Sequence, residues 1–147
     1  MADDGHPALA EMLCFDLYAA SRAVTAVYRP LLAEIGLTYP QYLVLVVLWR
    51  EKECTVKELS GALQLDYGTL TPLLRRMEKS ALITRRRRDD DERSVTISLT
   101  EAGAALRSHE RPVQARIAKA TGLAVTEVAE LQRTLRALTA SAADAGS

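Results

Sequence analysis

Residues 66–93 read DYGTLTPLLRRMEKSALITRRRRDDDER, and the fold of the whole chain turns on how this stretch is read. Its first half places Leu70, Leu73, Leu74 and Met77 at the i, i+3, i+4, i+7 spacing of a helix with one buried face. The opposite face carries Gly68, Pro72, Arg75 and Lys79, flanked by Thr71 and Arg76. Small polar groups near the start of a helix, with cations further along, suit entry into a DNA major groove. The small groups allow close approach to base edges, and the cations meet phosphates. Residues 82–88 and 94–99 then read as two strands, with Val95, Ile97 and Leu99 alternating with polar residues. A charged hairpin tip, RRRRDDDER, joins them.

The charge distribution agrees with that reading. Arg75, Arg76, Lys79, Arg85, Arg86, Arg87 and Arg88 face only Glu78 across residues 75–88, while the whole chain is neutral at pH 7. One basic segment on a neutral protein fits directed binding to a polyanion better than general stickiness. A solvated surface hairpin is the plainer reading of such a run. The helix in front of the hairpin favours DNA.

Upstream, Thr38-Tyr39-Pro40-Gln41 is a helix start. Thr38 and Gln41 form a capping box, and Pro40 falls in the first turn, where its missing N–H does no harm. This helix should reach about Arg50. A short turn or strand at Glu53 and Cys54 leads to a second box, Thr55-Val56-Lys57-Glu58, whose helix should end near Leu63. Asp66 is placed to cap the next helix. Two short helices, the second basic, followed by a hairpin make a winged helix-turn-helix.

The flanks are helical. From Pro7 to about Leu32 one stripe holds Leu13, Leu17, Ala20, Val24 and Leu31. A second holds Cys14, Tyr18, Ser21, Thr25 and Tyr28. Two adjacent stripes on one helix suggest a contact beyond the chain's own core, most simply a subunit interface. The helix should end between Pro30 and Gly36. After Leu99, Thr100 can cap a helix that Pro112 kinks or divides, and Thr121-Gly122 breaks it. The last helix carries Val128, Leu131, Leu135, Leu138 and Ala142 as a heptad-like seam, read either as core packing or as part of a dimer seam with the first helix. Residues 1–6 should lack order and residues 141–147 should fray.

The expected fold is therefore mainly α with a small β-hairpin wing (α+β), a single domain over residues 1–147. Residues 38–100 form the winged-helix lobe, and residues 7–35 and 101–142 supply dimerisation helices. At 147 residues, one domain with a real core is the natural expectation. The longest apolar run, residues 42–49, is far too short to span a membrane, and the acidic start MADDGHPALAE lacks a basic leader. Two cysteines make no disulfide framework, so a cytoplasmic protein with free thiols is expected. His6 and His109 are isolated, so no metal site and no cofactor are expected.

The segment ELSGALQLDYGTLTPLLRRMEKSALITRRRRDDDERSVTISLT resembles the DNA-binding lobe of the MarR family of winged-helix repressors. Asp91-Glu92-Arg93, with Val95 and Leu99-Thr100, is similar to that family's wing signature. The N-terminal part, LCFDLYAASRAVTAVYRPLLAEIGLTYPQYLVLVVLW, resembles the organic-hydroperoxide-sensing OhrR group, chiefly through Cys14, Tyr18, Tyr28 and Tyr39. The resemblance implies a homodimeric repressor, not an enzyme, that releases operator DNA when an organic hydroperoxide oxidises Cys14. Tyr28 and Tyr39 of the other subunit would hydrogen-bond the sulfur, and Tyr18 would lie nearby. On DNA it implies Thr69, Thr71, Arg75 and Arg76 at the major groove and Arg86 within the basic run. Arg93 would enter a minor groove, oriented by Asp91. Tyr67 departs from the family pattern, where a small residue such as serine is expected.

One branch of the group resolves its sulfenic acid with a second cysteine in the C-terminal half. This chain has only Cys54 besides Cys14. The expectation is therefore a mixed disulfide between Cys14 and a small cellular thiol. Separation along the helix supports the cross-subunit part independently. Fourteen residues of helix between Cys14 and Tyr28 rise about 21 Å, so only an antiparallel partner helix or a broken helix lets them touch. Competing readings are a MarR-type repressor released by a non-covalent phenolic or lipophilic ligand, with Cys14 a small core residue and the tyrosines interface or packing residues, and a thiol peroxidase. The last lacks any evident Arg or Thr framework around Cys14.

Overall fold

The computed structural model describes residues 5–87, 90 and 94–147. Asp91 and Arg93 of the expected wing tip, and Met1, Ala2, Asp3 and Asp4, lie outside the described residues. Seven helices and three short strands are described: α1 (Leu13–Ala33), α2 (Tyr39–Glu51), β1 (Glu53–Thr55), α3 (Val56–Leu63), α4 (Tyr67–Lys79), β2 (Ile83–Arg86), β3 (Thr96–Leu99), α5 (Glu101–Ala105), α6 (Glu110–Thr121) and α7 (Val125–Ala145). A 3₁₀ turn, Leu106–His109, links α5 to α6. The result is a mostly helical winged helix with a small antiparallel sheet.

The four caps read from the sequence are present, the last with Thr100 Oγ1 accepting from Gly103 N at 3.1 Å. Thr38 Oγ1 accepts from Gln41 N and Gln41 Oε1 accepts from Thr38 N. Thr55 and Glu58 repeat that reciprocal pair at α3. Asp66 Oδ1 accepts from Thr69 N at 2.7 Å and opens α4. The sheet runs β1-β3-β2, with Cys54 opposite Ile97 and Arg85 also opposite Ile97 on the other side. Residues 53–55 thus form a strand rather than a turn, because β3 offers its free edge to them. The wing strands are shorter than residues 82–88 and 94–99.

One buried cluster joins the elements. Leu45, Leu48, Leu59, Leu70, Leu74, Met77, Ile83 and Ile97 belong to it, and it reaches Tyr28 and Leu32 of α1 and Val113 and Ile117 of α6. Full burial of each such aliphatic side chain stabilises the fold by roughly 1.5–3 kcal/mol before the entropy of ordering is subtracted. Trp49 ties the winged lobe to the C-terminal half: its Nε1–H donates to the Gly103 carbonyl at 2.9 Å, and Arg107 donates to the Trp49 carbonyl at 2.8 Å.

Two expectations need correction. First, α1 begins at Leu13 rather than Pro7. Leu9, Ala10 and Met12 bond back to the carbonyls of His6, Pro7 and Leu9, three residues behind, so residues 7–11 form tight turns and not α-helix. Gly5 and His6 take part in this lead-in, Gly5 at φ +67° and His6 Nδ1 accepting from Ala8 N. Second, α7 runs on to Ala145 instead of fraying from residue 141, as its alanine-rich end favours helix. The chain's own core leaves the α7 seam, read as core packing or as part of a dimer seam, without a buried residue. Pro112 sits in the first turn of α6, and the break before it is the 3₁₀ turn. Gly122, at φ +67°, ends α6 as read.

Candidate functional site

The candidate DNA surface is built on α4. Its apolar face, Leu70, Leu73, Leu74 and Met77, is buried, so the helix has one orientation on the lobe. Thr69, Arg75 and Arg76 are exposed on the other side, and Thr71 is half-buried between the faces. Asp66 caps the N-terminus, and its hydrogen bonds to Thr69 hold the carboxyl below the usual carboxylate range. Pro72 removes one hydrogen bond inside α4 without ending the helix. Tyr67 packs against the core rather than reaching out, which explains how a large residue is accommodated there. Arg86 is exposed at the end of β2, and Arg85 lies 3.8 Å from Glu78 of α4, so the base of the wing is fastened to the helix beside it.

The candidate thiol site lies outside the winged lobe, on α1. Cys14 is exposed in the first turn of α1. Tyr18, one turn on, is 60% exposed, with Arg22 over its ring at 5.4 Å. Phe15 and Leu13 are exposed beside them. Tyr28 is buried near the other end of the same helix, with its ring centroid 4.5 Å from Tyr39 and 5.8 Å from Tyr42. The structure thus brings Tyr28 and Tyr39 together. It does not bring Cys14 to either within one chain, since α1 is continuous between them.

Sequence reasoning missed a residue at the tyrosine cluster. Gln114 of α6 donates from Nε2 to the Tyr28 hydroxyl at 3.0 Å and to the Tyr42 hydroxyl at 2.9 Å. The available signal was weak: a polar residue between Val113 and Ile117, the two buried positions of α6. Burial raises the Tyr42 pKa while the Gln114 bond works against it, and burial followed by the neighbouring Tyr28 and Tyr42 raises that of Tyr39. Nearby, Arg50 forms a two-pronged ion pair with Glu110, at 2.8 and 3.0 Å, which holds the guanidinium still more firmly charged. Cys54 contrasts with Cys14. It is buried in β1, and burial, then Glu58, Glu51 and Glu53, push its thiol up to about 11. Among the described residues no group of His, Cys, Asp and Glu is placed to hold a metal ion, and no helix is long and apolar enough to cross a membrane.

A basic helix seated by its apolar face, with a wing beside it, defines a winged-helix DNA-binding regulator. The chain matches the family described as transcriptional regulator SarA/Rot over residues 26–109. It is 56% identical over 102 residues to the organic hydroperoxide resistance transcriptional regulator of Bacillus subtilis (strain 168), covering 69% of each chain. It is 43% identical over 128 residues to the HTH-type transcriptional regulator MgrA of Staphylococcus aureus, covering 86% of this chain and 87% of that one. Among solved structures, reduced AbfR bound to DNA superposes with a TM-score of 0.77 at 33% identity, covering 95% of this chain and 96% of that one. AbfR, from Staphylococcus epidermidis, is also solved in an overoxidised form bound to DNA and in a disulfide-formed state. The chain belongs to the MarR/SarA family of winged-helix transcriptional regulators.

Proposed function

We propose that this regulator is a homodimeric, cytoplasmic repressor that senses organic hydroperoxides through Cys14 and then releases its operator. The observation that carries the reading is that Cys14 and the Tyr28–Tyr39 pair lie at opposite ends of α1. Cys14 and Tyr18 are exposed at the start of α1, and the Tyr28–Tyr39 pair lies near its end. An antiparallel second copy of α1 would set each sulfur against the partner's tyrosines. Two phenolic O–H donors favour the thiolate, which is the nucleophile. Its electron pair attacks the terminal peroxide oxygen. An S–O bond forms, the O–O bond breaks, sulfur becomes a sulfenic acid, and the alkoxide leaves and takes a proton as alcohol. A small cellular thiol then condenses with the sulfenic acid, giving a mixed disulfide and water. The larger sulfur group no longer fits its phenol donors, the dimer helices shift, and the recognition helices lose their half-site spacing.

On DNA, Thr69, Thr71, Arg75 and Arg76 lie at the major groove, Arg75 with its charge on a phosphate, and Arg86 meets phosphate. Arg93, steered by Asp91, enters a minor groove. The 56% identity to a hydroperoxide-resistance regulator and the redox states named for AbfR support the sensing half of this reading. The buried, poorly ionised Cys54 supports a one-cysteine route.

A second reading has one observation in its favour. A cavity of about 440 Å³ lies beside Tyr39, lined among others by Thr25, Arg29, Leu37, Thr38 and Pro40. It is large enough for a small phenolic ligand, which would release DNA without oxidation. A gel shift on duplex DNA from just upstream of the protein's own gene separates the two. Binding lost on treatment with cumene hydroperoxide plus a small thiol, in wild type but not in Cys14→Ser, is the expected result. Binding that ignores the peroxide in both proteins would overturn it and leave the ligand reading.

A further inference from the structure

We infer that Gln114 is a positioning residue for the redox site, one that turns the Tyr28 phenol proton outward toward the sulfur it serves. The inference rests on the reading of Cys14 proposed above. A carboxamide nitrogen carries two N–H groups and accepts nothing. Gln114 Nε2 lies 3.0 Å from the Tyr28 hydroxyl oxygen and 2.9 Å from that of Tyr42, so it spends both N–H groups on the two phenols. Each phenol therefore accepts from the amide, and its own proton is free for another acceptor. A hydroxyl that accepts a hydrogen bond is also polarised into a better donor.

The ring of Tyr28 has little freedom. It is buried, with Tyr39 and Tyr42 against it at 4.5 and 5.8 Å. What remains adjustable is the hydroxyl torsion, and Gln114 controls that. The charged groups facing the cluster are Glu110, one turn earlier on α6, and Arg50 of α2. They pair with each other at 2.8 Å, so the amide works beside a neutralised pair. With the amide carbonyl in place of its nitrogen, both phenol protons would turn toward Gln114 and the sulfur would lose a donor.

The test is the rate of Cys14 sulfenic acid formation with cumene hydroperoxide, measured at pH 7 on the full chain as wild type, Gln114→Glu, Tyr28→Phe and the double variant. A carboxylate is nearly isosteric with the amide but only accepts, so it draws both phenol protons toward itself. Loss of one hydrogen bond to a charged group should slow oxidation about tenfold or more in Gln114→Glu. Reduced operator binding should stay within about twofold of wild type, since the substitution is far from α4. In the Tyr28→Phe background the same substitution should change the rate less than about twofold, because its effect passes through the missing hydroxyl.

An unchanged rate in Gln114→Glu overturns the inference. So does a slowing of equal size with and without the Tyr28 hydroxyl, which would be the effect of the added charge alone. Gln114→Met, uncharged and able neither to donate nor to accept in this way, serves if the carboxylate unfolds the chain. It should slow oxidation severalfold in the presence of Tyr28 and not in its absence, and any other pattern counts against the inference. Failure of wild-type Cys14 to oxidise at all would instead sink the hydroperoxide reading, and this inference with it.

Discussion

The indole N–H of Trp49 reaches 54 positions along the chain to the carbonyl of Gly103, closing a 2.9 Å hydrogen bond between α2 and α5. Gly103 is required there for a second reason. A Cβ on it would run into the backbone carbonyl of Leu82, with the Leu99 side chain also close. The Leu82 carbonyl is backbone and cannot swing aside as the end of a side chain could.

Gly103→Ala should therefore destabilise the fold by about 3 kcal/mol, the upper range for forcing a methyl group into a filled site. Urea unfolding of the variant would measure it. A loss below about 0.5 kcal/mol would mean that α5 slides away from β2 at little cost.

The two cysteines should behave oppositely. At pH 7.5 iodoacetamide should label exposed Cys14 and leave Cys54 untouched until the protein unfolds, which peptide mass spectrometry reads directly. Stability carries the same signature. The folded Cys54 pKa, about 11, lies above its ordinary value of 9.0. The unfolded thiol thus ionises first as pH rises, and its contribution to stability is whole below pH 9 and lost on the way to about 11. Cys54→Ala should flatten that part of the alkaline decline, whatever it does to stability at pH 7.

Arg75 is exposed on the far side of α4 from its buried leucines. Replacing it with alanine should weaken DNA binding across sequences and reduce the slope of log affinity against log salt by roughly 0.9, the share of one phosphate. A slope that does not move would remove Arg75 from the phosphate contacts.

Leu131 is 46% exposed on α7, a helix with no buried residue. If α7 covers a second copy, Leu131→Asp should convert dimer to monomer in sedimentation velocity while leaving the winged lobe's circular dichroism intact. A variant that still sediments as wild type would place the dimer contact elsewhere.

The features legible in the sequence are those decided within one or two turns. The Thr38–Gln41 and Thr55–Glu58 boxes and the Asp66 cap depend on residues three apart, and each is found as read. The α4 face was equally local. What escaped depends on distant partners. The length of the wing strands, the edge pairing of β1 and the Gln114 bridge across 86 and 72 positions are set by packing that no periodicity encodes. Of the candidate thiol site, Cys14, Tyr18, Tyr28 and Tyr39 were legible, but Gln114, which bonds the Tyr28 hydroxyl, was not. Gln114 gives no pattern in sequence, being one polar residue on a largely polar helix. The start of α1 was misplaced because Pro7 is as compatible with a tight turn as with a first helical turn.

The aromatic row at the junction of the two halves has an optical consequence. Tyr28 and Tyr39 adjoin Tyr42, or each other, within 5.8 Å, and Tyr42 stands 5.9 Å from Trp49, the sole tryptophan of the chain. Light absorbed by these phenols should therefore pass to one indole, whose N–H is bonded to the Gly103 carbonyl. The molecule carries its own strain gauge. A disturbance of the tyrosine cluster should appear as a change in energy transfer, and a parting of α2 from α5 as a shift in emission colour. The two could be timed against each other without attaching any dye.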